Sequence, residues 1–176
     1  LPGSRFACLV RPKPLHFVST YSVQHSREHL HTSDIYETDP LPPCESLMGG
    51  YHRSKWVGER LVREAERRGL PVAVYRPGRI TGHSATGSAN LGDLLHVMIS
   101  GCMTLGALPQ FDDPIDMTPI DYVSRAIAAL VFDPRAYGKA FHLVNPQPTK
   151  LSRLMTFLTS KGAMLQTLPF IEWYRK

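Results

Sequence analysis

Apolar residues fall along this chain in short runs and helical stripes that alternate. Phe6-Ala-Cys-Leu-Val10 and Leu15-His-Phe-Val-Ser19 are brief apolar runs bounded by proline and arginine, the pattern of buried parallel strands. In the stretch that opens at Tyr51, the small or apolar positions Ser54, Val57, Gly58, Leu61, Val62 and Ala65 recur at i, i+3, i+4 and i+7. That spacing predicts a core-facing helix closed by Gly69. Val72-Ala-Val-Tyr-Arg76 follows as a strand stopped by Pro77-Gly78, and a long helix running into a buried strand is the βαβ rhythm of a parallel sheet. Asn90 to Ser100 reads as a further helix. Tyr122, Val123, Ala126, Ile127, Leu130 and Val131 form another amphipathic stripe, with Asp121 as its N-cap. Phe141-His-Leu-Val144 reads as a strand, and Thr149 opens a helix through Leu151, Leu154, Met155 and Leu158 that Gly162 closes. Tyr21 to Gly50, rich in His, Ser, Asp and Pro without periodicity, reads as a long loop with one helical turn; loops of that length usually serve a site.

Composition narrows the function classes. A chain of 176 residues with 43% apolar and 20% charged residues suits one soluble domain with a sizeable core. The net charge of +5 comes from basic residues interspersed with acids, which argues against nucleic acid and leaves room for an anionic ligand or an acidic partner protein. Glu59 precedes Arg63, and Glu64 precedes Arg68, by four residues, so that helix face reads as solvated. No apolar run approaches the roughly 18–20 residues of a membrane span. Cys8, Cys44 and Cys102 are odd in number, widely spaced and without a C-x-x-C pair, and the start resembles no secretory leader; a reduced, cytoplasmic protein is expected. His25 and His29 are spaced for two metal ligands, with His31 nearby, but no Cys or acidic partner completes a set, so no metal is expected.

The chemistry concentrates in Tyr51-His-Arg-Ser-Lys55, which puts a phenol and an ammonium one turn apart on one helix face. A phenol is a poor proton donor or acceptor at neutral pH, and a nearby ammonium that stabilises its anion lowers such a group's pKa by roughly 1–3 units. The spacing alone is a weak signal, and its flanks make it specific. Phe17-Val-Ser-Thr20 ends a strand on a hydroxyl, and Tyr75-Arg-Pro-Gly-Arg-Ile-Thr-Gly82 ends the strand after the helix.

In that order these segments resemble the extended short-chain dehydrogenase/reductases. The phrases Ser54-Lys-Trp-Val-Gly-Glu-Arg-Leu-Val62, Gly69-Leu-Pro-Val72, Thr118-Pro-Ile-Asp-Tyr-Val-Ser-Arg-Ala-Ile127 and Phe141-His-Leu-Val-Asn-Pro146 resemble the thioester reductase domains that terminate non-ribosomal peptide synthetases, and the similar domains of carboxylic acid reductases. The resemblance implies an α/β fold: a Rossmann-like parallel sheet flanked by helices, incomplete in this sequence, with a small C-terminal substrate-binding subdomain. It divides the chain into residues 1–82, a partial NADP-binding core, and 83–176, a mixed segment that adds the substrate subdomain and late sheet elements. It also implies NADPH as cofactor and, as partner, a carrier-protein domain whose phosphopantetheine arm bears an acyl or peptidyl thioester. The implied catalytic residues are Thr20, Tyr51 and Lys55. Tyr51 and Lys55 would also meet the cofactor, with Pro77, Gly78 and Ile80 lining the nicotinamide through backbone and Arg11 meeting the adenosine 2′-phosphate.

The sequence departs from this family in one respect. It has no Gly-x-x-Gly-x-x-Gly turn to admit a pyrophosphate to a helix N-terminus, and Arg11-Pro12 joins a segment like the family's second strand to one that normally comes several elements later. A long segment is therefore expected to be missing at that junction. Two rival readings stay open: a sugar-nucleotide epimerase or dehydratase of the same superfamily, which Arg11 and Trp56-Val-Gly-Glu-Arg60 argue against, and a non-catalytic fragment.

Overall fold

The computed structural model describes residues 7, 9, 11–26, 34–110 and 114–176. In chain order its elements are β1 (Leu15–Val18), α1 (Gly50–Arg67), β2 (Val72–Pro77), β3 (Ile80–Thr81), α2 (Leu94–Leu105), β4 (Ala107–Pro109), β5 (Pro114–Ile115), β6 (Thr118–Pro119), α3 (Ile120–Val131), β7 (Ala140–Leu143), β8 (Thr149–Lys150), α4 (Leu151–Ser160), β9 (Gln166–Leu168) and α5 (Phe170–Tyr174). Single 3-10 turns lie at Tyr21–Gln24, Cys44–Ser46 and Pro134–Ala136. The chain forms two compact units, residues 1–80 with 118–144, and residues 81–117 with 145–176.

The first unit is built on a parallel sheet in the order β1-β2-β7, with Leu15 opposite Val72 and Val74 opposite Ala140. All six positions of the central strand β2 are buried. Its period-two alternation sends Val72 and Val74 to one face, where they pack with Val62 and Ala65 of α1, Leu15 and Phe17. Ala73 and Tyr75 go to the other, against Val123, Ala126, Ile127 and Leu130 of α3. Burying each such aliphatic side chain contributes roughly 1.5–3 kcal/mol, so a β2 covered on both faces anchors the unit.

α1 starts abruptly because Gly49 has φ 87° and ψ 154°, a conformation essentially reserved for glycine. Gly49→Ala is expected to destabilise the protein by about 1–3 kcal/mol in urea unfolding, since a Cβ there forces a strained backbone. Val62 lies buried on the inward face of the helix, as its spacing predicts, but Val57 and Leu61 are close to half exposed. The buried arc is instead Gly58, Glu59 and Val62. Gly58 contributes to it: a Cβ there would lie 3.0 Å from Phe17 Cζ, so a larger residue would require the Phe17 ring to shift by a few tenths of an ångström.

Other expectations are corrected by local chemistry. Ala7 lies in helical backbone rather than a strand, while Phe6, Cys8 and Val10 of that run lie outside the described residues. Four residues separate Val10 from Leu15, too few for a parallel crossover, which needs a dozen or more. α2 begins at Leu94, not Asn90, because Asn90 Oδ1 takes the Gly92 N–H (3.1 Å) in a turn and Asp93 caps the helix through the Leu95 N–H (2.9 Å). Asp121 lies inside the first turn of α3, where Pro119 holds the N-cap position; its carboxylate pairs with Arg125 at 3.1 Å. α4 opens at Leu151 because Thr149 and Lys150 pair antiparallel with β5.

The second unit holds α2, α4, α5 and short strand pairs, β4 with β9 in parallel and β5 with β8. Gly106, at φ 63°, closes α2 and turns the chain directly into β4. Among the described residues no helix is long and apolar enough to cross a membrane.

Candidate active site

The site forms where β1 and β2 end, the edge at which parallel α/β sheets place their ligands. Beyond Val18 the ladder extends by one bond, from the Ser19 N–H to the Tyr75 carbonyl (2.7 Å). Ser19 Oγ is buried there and makes no hydrogen bond among the described residues. The buried Thr20 then caps the 3-10 turn, its Oγ1 accepting the Ser22 N–H (3.3 Å) and lying 2.9 Å from Ser22 Oγ.

Lys55, in the second turn of α1, reaches this edge and donates from Nζ to the Val18 carbonyl at 3.3 Å. Tyr51 lies one turn earlier with its ring 59% exposed, edge-on to His52 with ring centres 5.6 Å apart. The Trp56 indole N–H donates to the Pro42 carbonyl (2.8 Å), tying the loop that precedes the helix to its flank. Just past β2 the Gly78 N–H donates to the Leu143 carbonyl (3.0 Å), and Ile80, in β3 paired with β6, packs its side chain onto the α3-facing core. Lys55 is thus in contact with the end of the strand that leads into Thr20. Arg11 is exposed, four residues ahead of β1 at its amino end, and no described contact joins it to Thr20, Tyr51 or Lys55.

A buried polar cluster that sequence reasoning missed lies nearby. Glu59, expected in a solvated pair with Arg63, is fully buried and bound to Arg76 of β2, with Nη2–Oε1 at 2.6 Å and Nε–Oε1 at 3.1 Å. Arg63 pairs instead with Glu66 (2.8 Å), while Glu64 and Arg68 do pair as their spacing predicts (2.9 Å). Arg76 also holds His142 of β7, Nη1 to Nε2 at 3.2 Å; a guanidinium only donates, so Nε2 accepts and the ring is neutral. The His142 backbone N–H donates to Glu37 Oε1 at 2.6 Å, and Tyr21 meets the ring edge-on with centres 5.0 Å apart. The available signal was Arg76 itself, since a cation inside an otherwise apolar buried strand requires a buried anion. Of the three loop histidines, His29 and His31 lie outside the described residues, and His25 is exposed beside Tyr21.

Burial, then the Arg76 charge, lowers the His142 pKa, against smaller opposing effects of Glu37, Glu59 and Asp39. Burial lowers His16 as well, its Nδ1 lying 2.9 Å from the Tyr75 hydroxyl. Both rings take a proton more readily when unfolded. Stability therefore falls as pH drops below about 6.5, the free-imidazole value, toward the folded ones. The unfolding midpoint is expected to decrease between about pH 7 and pH 5, with a shallower decrease in His142→Asn.

A parallel β-α-β unit with a lysine of its crossover helix seated on a strand's carboxyl end is part of a Rossmann-type dinucleotide-binding fold. The chain belongs to the Male sterility protein family (NAD_binding_4), which matches residues 4–127. It is 36% identical over 169 residues to one of the linear gramicidin synthase proteins of Brevibacillus parabrevis, covering 96% of this chain and 3% of that protein. Among solved structures it is similar to the terminal R domain from the myxalamid PKS-NRPS biosynthetic pathway, at 46% identity and a TM-score of 0.89 over 96% of this chain and 43% of that one. A thiolation-reductase di-domain from an archaeal non-ribosomal peptide synthetase matches at 26% identity and 0.80, over 98% and 38%. This chain therefore spans less than half of these relatives. A UDP-glucuronic acid 4-epimerase from Bacillus cereus, at 20% identity and 0.69, shares the fold alone.

Proposed function

We propose that this chain carries the catalytic portion of an NADPH-dependent reductase that releases an acyl or peptidyl group from a carrier protein's phosphopantetheine thioester as an aldehyde or, after a second reduction, an alcohol. The observation that carries this reading is Lys55 bound to the Val18 carbonyl, one turn from Tyr51 and beside Ser19-Thr20, in a chain 46% identical to a terminal reductase domain. Its likeness to a gramicidin synthase and to a thiolation-reductase di-domain supports the carrier-protein partner.

The residues present fit the nicotinamide end of the cofactor. Ser19 Oγ, a buried hydroxyl without a hydrogen-bond partner among the described residues, and the Lys55 ammonium, bound to the Val18 carbonyl, are donors at the strand edge. Among the described residues the glycines with positive φ (49, 69, 87, 106, 138 and 162) are far apart in sequence, and no glycine-rich turn groups them for the pyrophosphate end. When bound, NADPH supplies a hydride to the thioester carbonyl carbon. Thr20 orients that carbonyl, and Tyr51 donates its phenolic proton to the oxygen as negative charge develops there. The Lys55 ammonium stabilises the resulting phenolate and holds the nicotinamide ribose. Collapse of the hemithioacetal breaks the C–S bond as its hydroxyl proton returns to the Tyr51 phenolate, and the departing carrier thiolate takes a proton from solvent. In this reading Pro77, Gly78 and Ile80 line the nicotinamide through backbone, and the assignment of the 2′-phosphate to Arg11 rests on the sequence resemblance rather than on a contact with the site residues. Residues 1–82 serve cofactor and chemistry, and part of 83–176 serves the acyl group. The free thiols of Cys44 and Cys102 suit a reducing cytoplasm.

Cofactor fluorescence titration tests this. NADPH is expected to bind at least about 10-fold more tightly than NADH, equivalent to roughly 1.4 kcal/mol, and Arg11→Ala to erase the difference. Equal affinities in the parent protein would remove Arg11 from the site, and binding of neither would make the chain a non-catalytic fragment.

A further inference from the structure

Tyr51, Lys55 and Glu59 follow one another at four-residue intervals and so share one stripe of α1. Lys55 reaches the end of β1, Tyr51 one turn before it is exposed, and Glu59 is buried on Arg76. Arg76 immediately precedes Pro77-Gly78, and its partner across the ladder is His142, whose ring accepts from it and whose backbone N–H donates to Glu37. Four residues thereby connect α1, β2, β7 and the loop that follows Thr20.

We propose that the buried Glu59–Arg76 pair, backed by His142, is a positioning device that fixes the Lys55 turn of α1 against the end of β1. That these turns serve reduction rests on the function proposed above. Aliphatic contacts alone would leave the helix free to slide or rotate, because they have no preferred direction. A guanidinium donating from Nε and Nη2 to one carboxylate has a preferred plane and distance, so it defines the height and rotation of α1 over β2. The nearby Gly58 packs closely on Phe17 of β1, on the same strand whose Val18 carbonyl Lys55 meets. A buried ion pair gives no assurance of stability over an apolar pair of equal volume, so its directionality is the property an apolar pair cannot supply. Glu59, Arg76 and His142 act through Lys55 and Tyr51 rather than on substrate.

The test is limiting acetylation of the full chain, with Lys55 modification measured by peptide mass spectrometry against Lys139, Lys150 and Lys161 as internal references. Glu59→Gln breaks the pair. Glu59→Leu/Arg76→Met replaces it with apolar groups that preserve folding, which unfolding midpoints verify. In both, Lys55 is expected to react about threefold faster or more relative to the references, as its bond to Val18 opens. An unchanged ratio in the folded double variant overturns the proposal, as does a rise shared equally by all lysines. In carrier-thioester reduction the double variant is expected to lose about 10-fold or more in kcat with KM unchanged, and a wild-type kcat there would also overturn it. A parent protein that reduces no thioester refutes the proposed function, while the Lys55 ratio still decides the positioning role.

Discussion

Tyr51→Phe is expected to lower thioester turnover by about 10²–10⁴-fold, the usual contribution of a positioned proton donor. The change removes one oxygen from a ring that is mostly exposed, so the fold has no reason to respond. Folding stability should stay within about 0.5 kcal/mol of the parent, as for surface substitutions generally. KM should change little, because the phenol's contribution arises as charge develops on the carbonyl oxygen rather than when substrate binds. Single-turnover absorbance of NADPH at saturating substrate measures the effect directly. Loss of both turnover and stability would instead make Tyr51 a structural residue.

Arg76→Met is expected to give the largest stability loss, about 3–5 kcal/mol, because it leaves the Glu59 carboxylate fully buried without its counter-charge. A loss of that size is a large fraction of the roughly 5–15 kcal/mol that holds a domain folded, so the variant should be partly unfolded near 37 °C. The cost belongs to the stranded charge more than to the lost attraction. Adding Glu59→Leu should therefore recover most of the stability, since it removes the charge and fills the same space. Urea unfolding of the single and double variants measures both quantities. If Arg76→Met alone proved neutral, Glu59 would have to take up a proton or reach water.

These effects also mark what the sequence reveals. β1, α1, β2, α3 and β7 were legible because their apolar periods are long or uninterrupted, and the Tyr51–Lys55 spacing followed from helical geometry. Glu59 was misplaced because a glutamate four residues before an arginine has the same local signature whether it meets that arginine or a distant one. Only the tertiary position of Arg76, a cation within a strand buried at every residue, distinguishes the two. The short strands β4, β5, β8 and β9 have two or three residues each, fewer than a period-two pattern needs to be recognised. The loop after Thr20 showed no periodicity, yet it buries Val23, Gln24, Ser26 and Leu47, with Ser26 bridged to Leu47. Such packing depends on contacts far apart in sequence, which no local pattern encodes.

The most direct measurement of the central claim uses an acyl thioester on a carrier-protein domain and NADPH carrying deuterium at the transferable position, followed by mass spectrometry of the released product. The account predicts one deuterium at the former carbonyl carbon of a released aldehyde with the parent protein, and almost none with Tyr51→Phe over the same time. Release of unlabelled carboxylic acid, or labelled aldehyde formed equally fast by Tyr51→Phe, would contradict it.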